Sequence, residues 1–163
     1  MTHLIAAHEM PPQSWKSLAM RLALNFFPPF RRTSGRITHY SADGLYGRLK
    51  LPLTWRNRGK AGVMFGGSIY GAVDPIYVVM YTNMLGKELY IWDKSAKIEF
   101  LKPGRSTLYA DFHISEDEIA LMQQEVQENG KSYRDYTVNL VDKQGVVHAR
   151  VEKTLYFKRK PPH

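Results

Sequence analysis

The chain predicts an α+β fold: an antiparallel sheet curled around one long buried helix, with an N-terminal helix and a short helical insert. Three observations carry that prediction. Residues 61–85 form the longest apolar run, apolar on every side yet holding Asp74 and Pro75. Such a segment belongs inside a protein or in a bilayer. Beyond Gly86 the apolar residues recur with a period of two between turn signals, the mark of half-buried strands. Ahead of the run, Ala42-Asp43-Gly44 separates two further strand-like segments, which makes a hairpin.

The central run has the length of a membrane span. Asp74 would then sit near the bilayer centre, where a carboxylate is costly, and soluble-type strands follow. A buried helix opening at Phe65-Gly66-Gly67-Ser68 is the better reading. Glycines let other groups approach the backbone, and the first amides of a helix have no internal acceptor. A helix start of this kind can polarise a carbonyl or hold an anion. Asp74 lies eight positions beyond Gly66, roughly 12 Å along the axis. One substrate carbonyl cannot easily meet both groups within one helix. A second helix, antiparallel across a twofold axis, would bring Asp74 of one chain beside Gly66 of the other.

In chain order, residues 1–12 read as a loose lead-in. Ser14 can cap a helix whose Trp15, Leu18, Ala19, Leu22 and Phe26 share a face. Packing of that face over one end of the core is the plain expectation. A membrane-surface helix is the sharper one, with only Lys16 and Arg21 to supply charge. Pro28 and Pro29 stop the helix, and Arg31-Arg32 follow in a loop. Strands are expected at 36–40 and 45–53, the second with Leu45, Leu49, Leu51 and Leu53 on one face. In the strand at 89–101, Tyr90, Trp92, Ala96, Ile98 and Phe100 share a face with Lys94 among them, and Asp93, Ser95, Lys97 and Glu99 lie opposite. Pro103-Gly104 turns the chain into a strand at 105–114. Ser115 to Glu118 has capping-box spacing for a short helix that Gly130 closes. Two strands, near 133–141 and 146–157, end the chain before a basic tail. We expect one domain over 1–163: lead-in and helix to 33, core 34–158, tail 159–163.

Composition narrows the function classes. The net charge is +8, with 23 Lys and Arg against 15 acids, which favours an anionic partner. The basic residues are scattered, without a recognition helix or aromatic platform, so nucleic acid is not the expected partner. There is no cysteine, which excludes disulfides, thiolate metal sites and a cysteine nucleophile. No spacing suggests another metal site. The N-terminus lacks signal-peptide character, and a cytoplasmic location without stable membrane insertion is the default.

GGS opening the buried helix, an acid eight residues on, and KIEFLKPGRSTLYADFHI after it together resemble the hotdog-fold thioesterases. The nearest branch is the phenylacetyl-CoA thioesterase-like one, and within it a family described only as a domain of unknown function. The resemblance spans about 36–157. It implies a helix opening with His-Gly-Gly, followed by Asp, Asn or Glu one helix length later. Here the His position is Phe65, the second position is Gly66 and the acid is Asp74. Hotdog hydratases carry a histidine on this helix, and this helix has none.

On that resemblance the chain is an acyl-CoA thioesterase working as a homodimer or homotetramer. The Gly66 amide would stabilise the oxyanion. Asp74 of the partner subunit would act as general base or nucleophile. Phe65, Gly67 and Tyr70 are the expected pocket residues. Lys94 is a candidate partner of the acid, though its plainer role is a lysine whose stem lies on the core. Lys102, Arg105 and the tail could meet the phosphates of coenzyme A, which enters as substrate; no cofactor is implied. Asp74 could also be purely structural, accepting from Tyr70, Tyr77 or Tyr81. The alternative function is a non-catalytic module that binds an acyl chain or acyl-CoA.

Overall fold

The computed structural model describes residues 4–161; the ends of the expected lead-in and tail lie outside them. Helix α1 (Trp15–Phe26) and a short α2 (Pro28–Arg32) precede the hairpin of β1 (Arg36–Tyr40) and β2 (Tyr46–Leu51). The central helix is divided into α3 (Gly66–Val73) and α4 (Pro75–Leu85). Then come β3 (Leu89–Phe100), β4 (Leu108–His113), α5 (Glu116–Asn129), β5 (Lys131–Val141) and β6 (Val147–Arg159). The six strands form one antiparallel sheet in the order β1-β2-β4-β5-β6-β3. The predicted architecture is thus present.

The central helix is held by aromatic and aliphatic packing. Leu49, Leu108, Ala110, Phe112, Val151 and Phe157 are fully buried, as are Ala72, Val73 and Met80 from the helix. Tyr77 stacks on Tyr136 with ring centroids 3.9 Å apart, and the Tyr81 and Tyr136 hydroxyls pair at 2.6 Å. The α5 capping box forms as expected, with Ser115 and Glu118 exchanging bonds. Gly130 closes α5 at φ +73°, a conformation that favours glycine.

Four expectations are corrected. Helix α1 does end ahead of the prolines, at Phe26, but Arg31 and Arg32 lie in the last turn of α2, which Pro28 opens, and not in a loop; proline is well tolerated at a helix start, where its missing N–H has no partner to lose. The shared face of α1 does not cover the core: Trp15, Leu18, Leu22 and Phe26 are exposed. Helix α1 is anchored by its other side, through buried Leu24 and bonds from Arg21 and Asn25 to β1. The described part of the lead-in, residues 4–12, is a bound strap: Arg48 donates to the Ile5 carbonyl, the Ile5 amide to Asp111, and His39 to the Pro11 carbonyl. The 2.6 Å Arg48–Asp111 ion pair beneath it is thereby almost enclosed.

The fourth correction concerns β3. Its pairing with β6 shifts register between Asp93 and Ser95, and a bulge of this kind reverses the faces of everything before it. Leu89, Ile91 and Asp93 pair with Arg159, Phe157 and Leu155, while Ala96, Ile98 and Phe100 pair with Lys153, Val151 and Ala149. Asp93 therefore shares a face with buried Leu155 and Phe157. Tyr90 and Trp92 are exposed, and Lys94 sits over the Tyr133 ring, 4.5 Å from its centroid.

Candidate active site

Helix α3 opens at Gly66, with Phe65 as its extended N-cap residue. Its first amides have no acceptor within the helix. The approach to this helix start is clamped. The Phe65 amide donates to the Asn57 carbonyl at 2.7 Å and the Met64 amide to the Gly104 carbonyl at 2.8 Å. Asn57 is itself buried, bonded to Thr54 and to the carbonyls of Thr33 and Pro52.

The turn at 100–104 faces that approach and is held by His148. The backbone carbonyl of His148 accepts from Leu101 and Lys102, and its Nδ1 donates to the Pro103 carbonyl at 3.0 Å. Its Nε2 meets Asp142 Oδ2 at 3.0 Å, and that hydrogen bond holds the Asp142 carboxyl below the usual range. Between turn and helix lies a cleft of about 400 Å³ lined by Val63, Met64, Gly66, Ile69, Phe100 and Lys102, among others. A side chain on Gly66 would begin 2.7 Å from Phe100 Cζ, and one on Gly67 would begin 2.5 Å from Phe65 Cε1. Both rings lie against the glycine pair, yet Phe65 is 63% and Phe100 56% exposed. They can move.

The other end of α3 is built differently. Asp74 is half-buried, and its amide donates to the Tyr70 carbonyl at 2.9 Å. Pro75 cannot donate to the Gly71 carbonyl one turn back. Lys153 Nζ donates to the Asp74 carbonyl at 2.6 Å and to Asp93 Oδ2 at 2.9 Å. The Lys153 side chain is completely buried, and Asp93 Oδ1 is buried without a hydrogen-bond partner. Burial raises the Asp93 carboxyl above its ordinary range, Lys153 opposes the rise, and the neighbouring Asp74 carboxylate adds to it. The Tyr70 hydroxyl is pushed up to about 12, first by burial and then by its hydrogen bond to Asp74.

Of the sequence-predicted residues, Gly66 and Lys102 line the cleft, and Phe65 lies against Gly67 beside it. Asp74 and Tyr70 meet at the far end of α3. Tyr77 and Tyr81 do not serve Asp74; they bond to the His113 backbone and to Tyr136. Arg105 is exposed and outside the cleft lining, and Lys94 is on the outer face. The lysine at this end of α3 is Lys153, which bonds the Asp74 backbone carbonyl and the Asp93 carboxylate; the sequence reading missed both Lys153 and Asp93. A signal existed: Lys153 interrupts the alternation Ala149, Val151, Leu155, Phe157 on the buried face of β6. Among the described residues no cluster could hold a metal ion, and no helix is long and apolar enough to cross a membrane.

A family model described as "Domain of unknown function (DUF4442)" matches residues 16–157. The chain belongs to this family. No curated protein matches the DUF4442 chain by sequence. Its fold is that of hotdog proteins. A Pseudomonas aeruginosa protein of unknown function superposes with a TM-score of 0.80 at 18% identity, over 93% of this chain and 100% of that one. A Haemophilus influenzae thioesterase gives 0.66 at 11% identity, over 93% and 96%. The PaaI protein from the phenylacetic acid degradation operon of Escherichia coli gives 0.60 at 15%, over 90% and 93%.

Proposed function

We propose that this DUF4442 protein is an acyl-CoA thioesterase whose site is shared between two subunits of a homodimer, or of a tetramer built from such dimers. The observation that carries the proposal is the apolar cleft of about 400 Å³ reaching Gly66 at the open start of α3. An acyl thioester fits such a place: the chain takes the apolar walls, and the carbonyl oxygen accepts from the Gly66 amide. Strand β3 supports self-association. It is an edge strand of 12 residues paired on one side only, and an open edge is a template for a second copy.

In this reading water attacks the thioester carbonyl carbon, and Asp74 of the partner subunit takes its proton. The Gly66 amide holds the negative charge that develops on oxygen. The tetrahedral adduct collapses with cleavage of the C–S bond; the thiolate leaves and takes a proton, and the acid is released. Direct attack by the Asp74 carboxylate is the other route. A single turnover in ¹⁸O-water identifies the acyl-enzyme route when the product acid carries an unlabelled enzyme oxygen, which requires that water open the mixed anhydride at the Asp74 carboxyl carbon. The chemistry needs no metal or organic cofactor. Lys102 at the cleft is the candidate for coenzyme A phosphates; Arg105 lies outside the cleft lining, and Lys158 and Arg159 of the tail pair beside Tyr90 and Leu89, at the other end of β3 from the 100–104 turn.

A binding module without hydrolysis is the second reading, favoured by the exposed Phe65 and Phe100 rings against the glycine pair. Thiol release from an acyl-CoA panel, acetyl through aryl to long-chain, decides between them. A thioesterase shows chain-selective turnover that falls at least about a hundredfold in a folded Asp74→Ala variant. Tight acyl-CoA binding by wild type without thiol release would establish the module instead.

A further inference from the structure

We infer that α1 and α2 form a docking surface for an anionic phospholipid membrane. The face of α1 that turns away from the protein carries Trp15, Leu18, Leu22 and Phe26, and Trp15, Leu22 and Phe26 are 74%, 53% and 65% exposed. The opposite side is already committed to β1 through Leu24, Arg21 and Asn25. The helix therefore cannot turn its apolar stripe inward without breaking those contacts. Tryptophan, phenylalanine and leucine on one helical face suit the boundary between headgroups and acyl chains.

Charge selects the occupant. Residues 10–42 hold five cations, Lys16, Arg21, Arg31, Arg32 and Arg36, and no acid. Arg31, Arg32 and Arg56 line a pocket of about 350 Å³ with Phe26 and Pro28, and no carboxylate is among its lining residues. Among the described residues none of these three arginines is in an ion pair. Arg31 lies 5.7 Å from the centroid of Phe26, so the basic pocket is continuous with the apolar stripe. A second copy of the chain would bring the same positive charge against itself. The surface also lies beside β1, at the sheet edge opposite β3, so pairing through β3 does not require it. A lipid surface offers what both parts lack: phosphates for the guanidinium groups and hydrocarbon for the stripe.

The test is co-sedimentation of the full chain with vesicles of phosphatidylcholine alone or mixed with phosphatidylglycerol. Binding is expected to the anionic vesicles only, and to weaken as salt is raised. Leu22→Ser/Phe26→Ser should lower the partition coefficient about tenfold or more. Arg31→Gln/Arg32→Gln should lower it roughly thirtyfold. Both variants alter exposed side chains, so their melting temperatures and far-UV circular dichroism should match wild type. Absence of binding to anionic vesicles, or equal binding by either variant, would overturn the inference. So would a changed oligomeric state in Leu22→Ser/Phe26→Ser, which would make the stripe a chain–chain contact. Saturable pyrophosphate binding at the arginine pocket without vesicle binding would reassign it to a soluble phosphate.

Discussion

The two ends of α3 are separated by eight residues and solve opposite problems. At Gly66 the helix starts in an open apolar cleft, with two exposed rings beside it. At Asp74 it meets a buried lysine and a second carboxylate, Asp93. The first end leaves amides without internal acceptors where a ligand can reach them. The second uses Lys153 to compensate the carbonyl of Asp74 and one oxygen of Asp93, because unpaired polar groups are expensive away from water. In the proposed function these two ends divide the labour: recognition at the glycine end, positioning of an acid at the other.

The strongest way to break that contrast is Lys153→Met. It strands a buried carboxylate, and we expect a loss of about 3–5 kcal/mol in urea unfolding. The double variant Lys153→Met/Asp93→Leu should recover to within about 1–2 kcal/mol of wild type, since replacing both charges removes the stranded group. A loss below about 1 kcal/mol in the single variant would show that the pair compensates nothing.

Gly66→Ala probes the other end and should behave in reverse. The new Cβ meets the far end of an exposed ring, Phe100 Cζ, and alanine suits a helix better than glycine. Stability should stay within about 1 kcal/mol of wild type, while acyl-CoA affinity or turnover falls about tenfold as Phe100 is pushed aside. Unchanged acyl-CoA binding would detach the cleft from the substrate.

A smaller effect sharpens the acid's own surroundings. In ¹³C-tyrosine NMR the Tyr70 hydroxyl should titrate near 12. Asp74→Ala should bring it down by removing a negative neighbour, yet leave it above the ordinary value, because burial is the larger cause.

The smallest effect belongs to the clamp beneath the cleft. The folded state lowers the Asp142 carboxyl through its bond to His148. Its stabilising contribution is therefore present above the unfolded value near 3.8 and disappears as pH falls through the lower folded value. The melting-temperature gap between wild type and Asp142→Asn should be steady at neutral pH and close in that acid window. A gap that widens on acidification would carry the opposite sign.

Much of this contrast was legible in the chain. The start of α3, the hairpin, the α5 capping box and its closing glycine are local signals written within a few residues, and each forms where expected. What escaped were relations across long separations. Counting by twos through Lys94 hid the β3 bulge, and with it the inward turn of Asp93. The 153–74 and 148–103 contacts join residues 79 and 45 positions apart, so nothing near His148 or Lys153 names their partners. Helix α1 was read correctly as amphipathic, but periodicity does not say which side the protein uses. Arg21 and Asn25 decide that, through bonds to β1.

The central proposal, one site made by two chains, is tested most directly by mixing two inactive variants. Gly66→Val and Asp74→Ala, each folded and inactive alone, are unfolded together, refolded and assayed for thiol release. A heterodimer has one site with both groups intact, and random pairing makes half the dimers heterodimers. The expected recovery is about one quarter of wild-type activity. No recovery in a sample shown by native mass spectrometry to contain the heterodimer would contradict the shared site.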